Sequence, residues 1–424
     1  MTGITAGKRS TCWALDARRV DAIRLDADAG SGLGSDQARW GSAVSRIRAV
    51  SLWPSATARA VVGFLAAIIV LSAGAQGAAK NSGAVMRYGL SAINTVAIMA
   101  LSIVTLGRWV RVRPSTFRRI AFVSAGLLGF IILTGAAVRL TGSGLGCVDW
   151  PTCNNGSVTP ELSDMHGLIE FGNRIVTGLC VFAAGVGVLA TLVRVPYRPD
   201  LLRPAVVVVV AIMGNAVLGG LMVQKALPPT WVLSHFLLAI AALAAGIVLL
   251  HRSAEQLPTK GLWGRTRVAA FGAAESWLGR GLTGSALLTL FLGTIVTGSG
   301  PHAGDEAAER LGYAMITVAR LHSAAAWSAL ACVVALAWRS TRLLDADELR
   351  RRVTVLLVVV MLQGGVGYLQ WFTQVPAGLV FVHIIGAVAF WSAVLWVRAA
   401  LTVPPSGEVR HDGSEIPRSR PATV

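Results

Sequence analysis

Asn215-Ala-Val-Leu-Gly-Gly-Leu-Met-Val-Gln-Lys-Ala-Leu-Pro-Pro-Thr-Trp-Val-Leu-Ser-His235 and Gln363-Gly-Gly-Val-Gly-Tyr-Leu-Gln-Trp-Phe-Thr-Gln-Val-Pro-Ala-Gly-Leu-Val-Phe-Val-His383 are two copies of one pattern. In each, an amide side chain opens an apolar run, a Pro-bearing turn breaks it, and a histidine follows 20 residues after the amide. Upstream, Thr141-Gly-Ser-Gly144 recurs as Thr297-Gly-Ser-Gly300, each closing an apolar run. Between these landmarks stand Glu170-Phe-Gly-Asn173-Arg in the first copy and Arg320-Leu-His322-Ser in the second. Asn173 and His322 are 149 residues apart, His235 and His383 148. A duplicated four-helix unit with polar groups at matching depths predicts two related cofactor or substrate sites.

The chain has 424 residues, 54% of them hydrophobic and only 14% charged. Its apolar runs have the length needed to cross roughly 30 Å of hydrocarbon. They are continuous rather than alternating, which selects helices over a barrel. The expected fold is therefore an all-α polytopic membrane protein. Its eight core spans fall near 120–140, 165–192, 204–223, 231–250, 282–298, 313–338, 353–372 and 378–400. They divide into a four-helix bundle over 115–250, a linker over 251–281 and a second bundle over 282–400. Residues 1–58 are polar and read as a disordered extension, and 59–107 as an extra transmembrane hairpin without counterpart in the repeat. The polar tail over 401–424 reads as disordered and cytoplasmic. No signal peptide is evident, and Met86 or Met99 is an alternative start.

A formal net charge of +17 would suit nucleic acid, but its distribution argues for topology. Basic residues gather in alternate loops: Arg194, Arg198 and Arg203, then Arg252 to Arg280, then Arg339 to Arg352. The intervening loops carry Asp149, Glu161 and Asp164, or Asp305, Glu306 and Glu309. By the positive-inside rule the basic loops and both ends of the core lie in the cytoplasm of a plasma-membrane protein. No nucleic-acid partner is expected; the bilayer is.

Of five cysteines, Cys180 and Cys332 fall within apolar helices as small packing residues. Cys147 and Cys153 share the first outside loop, where an oxidising compartment favours a disulfide. Four histidines, His166, His235, His322 and His383, occupy the outward portions of spans, where polar groups are costly and face the bundle interior. Each is either an interhelical hydrogen-bonder or a ligand. The matched positions of His322 and His383 fit bis-histidine haem ligation best. In the first half the pattern breaks, because Asn173 stands where a second histidine would. Either His166 supplies that ligand or the iron is held through His235 alone. Burial disfavours the charge of Glu170 and Arg174 favours it; the pair reads as a proton acceptor near a reacting group or as a structural ion pair. Arg139, Arg174 and Arg320 either meet haem propionates or snorkel to headgroups.

Thr141-Gly-Ser-Gly-Leu-Gly-Cys-Val-Asp-Trp-Pro-Thr-Cys153, Pro160-Glu-Leu and Ile169-Glu-Phe-Gly-Asn-Arg174 together resemble the haem A synthase family over about residues 115 to 400. The resemblance implies two pseudo-symmetric four-helix bundles. It implies oxidation of the C8 methyl of haem O to a formyl group in two steps, with oxygen from water. By the same resemblance His322 and His383 hold a b-type haem used in electron transfer, and haem iron is the only metal. His235 belongs to the substrate-haem site, Glu170 is the catalytic carboxylate, and Cys147 and Cys153 form an outside disulfide. Implied partners are a haem O synthase and cytochrome oxidase assembly factors, with a homo-oligomer also compatible. Many members have His in Glu-x-x-His-Arg, so the ligand role does not carry over to Asn173, and His166 is its candidate replacement.

Two other classes compete. A dihaem electron carrier should keep a complete bis-histidine set in each half, and this chain does not. A repeat-built transporter more often shows inverted repeats with broken helices at the midplane. Here both copies run in the same direction.

Overall fold

The computed structural model describes residues 111–254, 268–302, 304–305 and 308–403. The extension over 1–58, the hairpin over 59–107 and the tail beyond 403 lie outside the described residues. Within them run eight helices: α1 Pro114–Leu140, α2 Met165–Val193, α3 Leu202–Gln224, α4 Pro229–Ala254, α5 Ala273–Ser299, α6 Met315–Ser340, α7 Asp347–Phe372 and α8 Ala377–Ala400. All eight are long and apolar enough to cross a membrane. With 23 to 29 residues, each rises roughly 35–43 Å at 1.5 Å per residue. The protein is a multi-pass membrane protein.

The helix ends follow local chemistry. Pro114 opens α1 at a position where its missing N–H costs nothing. Asp164 caps α2 by accepting the Gly167 N–H at 2.8 Å. Three helices, α1, α5 and α7, begin six to nine residues earlier than hydropathy predicts. α5 starts at Ala273, inside the expected linker, because the buried Glu275 carboxylate pairs with Arg339 of α6 at 2.5 Å. α7 starts at Asp347 because Glu348 pairs with Arg351 and Arg352 one turn on. α4 likewise runs on to Ala254, past the expected end at 250.

Helix neighbours form two rings. α1 packs on α2 and α4, and α3 on α2 and α4; α5 packs on α6 and α8, and α7 on α6 and α8. The halves meet where α8 touches α1 and α4, and where α4 touches α5. That seam is the core: Leu128, Ile240, Leu243, Leu290, Phe390, Trp391 and Val394 interlock there. The Trp391 indole N–H also donates to the Ile240 carbonyl at 3.2 Å, satisfying its one polar atom across the seam. Outward faces stay apolar and uncovered, as at Phe122, Phe182, Val210 and Leu362, which suits contact with lipid. On the basic-loop side, Val268–Ala269 pairs antiparallel with Thr402–Val403, and Arg198 makes a buried two-pronged bond to Asp200.

The repeat extends into the turns. Ala226 and Leu227 after α3, and Gln374 and Val375 after α7, all adopt left-handed backbone conformations. In each turn an amide bonds back to the helix end, Leu227 to Met222 at 2.8 Å and Val375 to Gln370 at 2.7 Å. This is the 148-residue offset that relates His235 to His383.

Candidate functional site

A cavity of about 1100 Å³ runs between the halves, lined by residues of all eight helices. Its volume exceeds the ~300–1,000 Å³ of common small-molecule pockets. His235, His322, His383, Glu170, Asn173, Arg139, Arg174 and Arg320 all line it.

At one end stand His322 of α6 and His383 of α8, with ring centroids 6.2 Å apart and planes at 70°. Two imidazoles sharing one metal ion at about 2.0–2.1 Å per bond have centroids roughly 6 Å apart. The separation of the two rings matches that of such a pair. Each ring is set by its neighbour helix. His322 Nδ1 lies 2.9 Å from the Thr289 carbonyl, so that nitrogen carries the proton and Nε2 keeps its lone pair. This second hydrogen bond is what orients a ligating histidine. One turn beyond Thr289, a Cβ on Gly293 would stand 3.1 Å from His322 Cε1.

The same notch occurs twice more. A Cβ on Gly367 would lie 3.2 Å from His383 Cε1, and one on Gly219 3.0 Å from His235 Cε1. In both, the buried Nδ1 faces the backbone of the residue four positions before the glycine, Gln363 or Asn215, without completing a well-formed hydrogen bond. Gln363 also donates its side-chain amide to the His383 carbonyl at 2.8 Å.

The other end is built differently. Asn173 occupies the α2 position that matches His322, and its Oδ1 lies 2.7 Å from Thr134 Oγ1 of α1. Glu170 is buried and fully engaged: Oε2 accepts the Cys147 N–H at 2.7 Å and Oε1 accepts Arg174 at 2.6 Å. Arg174 also donates to the carbonyls of Cys147, Thr152 and Asp149 at 2.9, 2.6 and 3.1 Å. Cys147 and Cys153 are joined by a disulfide and are buried. The acid and the arginine thus clamp the disulfide loop to α2. From this loop Trp150 lies across α3 so closely that a Cβ on Gly220 would stand 2.3 Å from the indole. Trp150 and Pro151 wall the cavity at this end.

A family model described as cytochrome oxidase assembly protein, COX15-CtaA, matches residues 118–167 and 163–395. The chain belongs to this family. Among similar proteins, Heme A synthase of Symbiobacterium thermophilum is 27% identical over 317 residues, 69% of this chain and 97% of that protein. Heme A synthase of Bacillus licheniformis is 32% identical over 125 residues, 28% of this chain and 39% of that protein. Protoheme IX farnesyltransferase of Thermus thermophilus is 52% identical over 50 residues, 12% of this chain and 8% of that protein. The matched stretch thus spans less than half the length of the last two relatives.

Within the COX15-CtaA match the sequence-predicted residues separate into groups. His322, His383 and His235 face the cavity together with Glu170 and Asn173. His166 does not: it is exposed at the start of α2, with Nδ1 2.9 Å from Ser143 Oγ, and is absent from the cavity wall. The three arginines also part company. Arg174 is committed to the disulfide loop, whereas Arg139 keeps a buried Nε without a hydrogen-bond partner and Arg320 lies at the exposed rim. Among the described residues, no three or more His, Cys, Asp or Glu side chains gather into a metal cluster. The donor set suits a metal carried in a macrocycle, which needs only axial ligands.

Sequence reading missed Thr134, the placement of Trp150 across α3 and the glycine notches. A signal for the notches was present, since Gly219 and Gly367 follow Asn215 and Gln363 by four residues, as Gly293 follows Thr289.

Proposed function

We propose that this COX15-CtaA protein oxidises the C8 methyl of haem O to a formyl group, making haem A for terminal oxidases. The observation that carries the reading is the asymmetry of one cavity. One end offers two imidazoles at bis-histidine separation; the other offers one imidazole, a carboxylate and an amide under a disulfide-braced lid. A pure electron carrier would need both ends alike.

In this reading His322 and His383 would hold a b-type haem, which supplies one-electron redox chemistry when bound. His235 would receive the haem O iron from its Nε2 side. Arg139, with its unpartnered nitrogen, and Arg320 at the rim are placed to meet propionates. Glu170 would accept protons released as the methyl is oxidised with water as the oxygen source, in two successive two-electron steps whose electrons would pass to an external electron acceptor. Its bonds to Cys147 and Arg174 hold it in place. Trp150 would limit water over the reacting edge. The membrane would be the plasma membrane, with the basic loops cytoplasmic and the haem sites toward the outer face. A haem O synthase would supply substrate, oxidase assembly factors would take the product, and a homo-oligomer is compatible.

Extracted pigments of the purified protein, produced with and without a haem O synthase and separated by chromatography, test this. Haem A is expected only when haem O is supplied. Haem B alone under both conditions would sink the synthase reading in favour of electron transfer.

A further inference from the structure

The fourth notch is the one without a histidine. In α1, Ile131 and Gly135 stand four residues apart, as Thr289 and Gly293 do in α5. A Cβ on Gly135 would lie 3.9 Å from Asn173 Oδ1, where one on Gly293 meets His322. The carbonyl that would receive an imidazole Nδ1 proton is instead met by Thr134, whose Oγ1 lies 3.1 Å from the Ile131 carbonyl and 2.7 Å from Asn173 Oδ1. Thr134 and Asn173 thus stand where the imidazole and its hydrogen bond would be.

That substitution removes a ligand without supplying another. An amide binds iron through its oxygen, and here the oxygen faces the Thr134 hydroxyl. The remaining NH2 group is a donor with no lone pair to offer a cation. Glu170 has both oxygens engaged. Cys180, two turns along α2, turns its thiol to the Leu127 carbonyl at 3.5 Å. His166 bonds Ser143 away from the cavity.

We infer that the first-half site holds its haem iron through His235 alone, and that Asn173, fixed by Thr134, faces an open sixth coordination position able to take a small neutral ligand. This rests on the proposed haem O site. Asn173 and Thr134 are then positioning residues that keep the position vacant and present one hydrogen-bond donor to what enters.

The test is spectroscopic and independent of turnover. The full-length protein carrying two haems is reduced with dithionite and titrated with carbon monoxide, and its oxidised form is read by electron paramagnetic resonance. One haem in two is expected to bind carbon monoxide and to give a high-spin ferric signal. Asn173→His should convert that haem to low spin and cut its carbon monoxide affinity at least tenfold. Asn173→His with Thr134→Ala covers the case in which the threonine blocks the new ring. Two low-spin haems in the unaltered protein, neither reacting with carbon monoxide, would overturn the inference and leave the proposed activity standing. A high-spin haem that persists in both variants would remove Asn173 from the sixth position. One haem per chain, unchanged by His235→Ala, would overturn the first-half haem site itself and this inference with it.

Discussion

Glu170 Oε2 accepts the backbone N–H of Cys147 at 2.7 Å, which ties the acid of α2 to the disulfide loop. With Arg174 on the other oxygen, the carboxylate has a structural task beside the proposed chemical one. Any substitution at Glu170 must therefore be read for both.

Glu170→Gln keeps the shape and one acceptor oxygen but cannot serve two donors as an anion does. Loss of a charge-assisted hydrogen bond costs about 1.5–3 kcal/mol. Haem A output should fall at least tenfold while the haem held by His322 and His383 keeps its optical spectrum. Pigment extraction and the reduced spectrum check this together; undiminished haem A would remove Glu170 from the mechanism.

Arg174→Lys should loosen the disulfide loop. Arg174 reaches three carbonyls and Glu170 from one planar fork, a geometry that a lysine ammonium cannot reproduce. Cys147 and Cys153 are fully buried in the native loop. The expected result is a several-fold faster reduction of the disulfide by an added thiol, followed by alkylation and mass spectrometry. An unchanged rate would show that the loop stands without the clamp.

Gly367→Ala tests the notch behind His383. The new methyl would stand 3.2 Å from the imidazole Cε1, and overpacking of this kind costs about 1–3 kcal/mol. The ring must move, so at least half of the haem bound in the second half should be lost, with the remainder shifted in spectrum. Gly378→Ala, at the start of α8 and off the cavity wall, meets nothing within 4 Å and serves as the control. Equal haem content in the two variants would contradict the notch.

His166→Ala should leave haem content per chain unchanged, because His166 faces Ser143 rather than the cavity. A pyridine haemochrome assay decides it. Loss of one haem would restore His166 as the missing ligand.

The spans were legible because hydropathy is a sum over consecutive residues, and the eight apolar runs come close to the length a bilayer needs wherever their ends are drawn. The ends were less legible. Glu275 and Arg339 look like reasons to stop a span until the two are seen to pair across α5 and α6. The repeat was legible from spacing alone, and with it the register that sets His235 against His383 and Asn173 against His322.

What the sequence by itself determined is the order of the helices, their polar positions and the break in the repeat at Asn173. These are properties of a residue and its neighbours along one helix. Which polar groups meet was decided only by tertiary structure. His322 and His383 come to 6.2 Å, Asn173 meets Thr134, Arg174 turns to the disulfide loop, and His166 turns away to Ser143. Such distances depend on how closely two helices approach, and that is set by side chains on a third: the glycines of α3, α5 and α7 give the imidazoles their room, and no periodicity within α4, α6 or α8 records it.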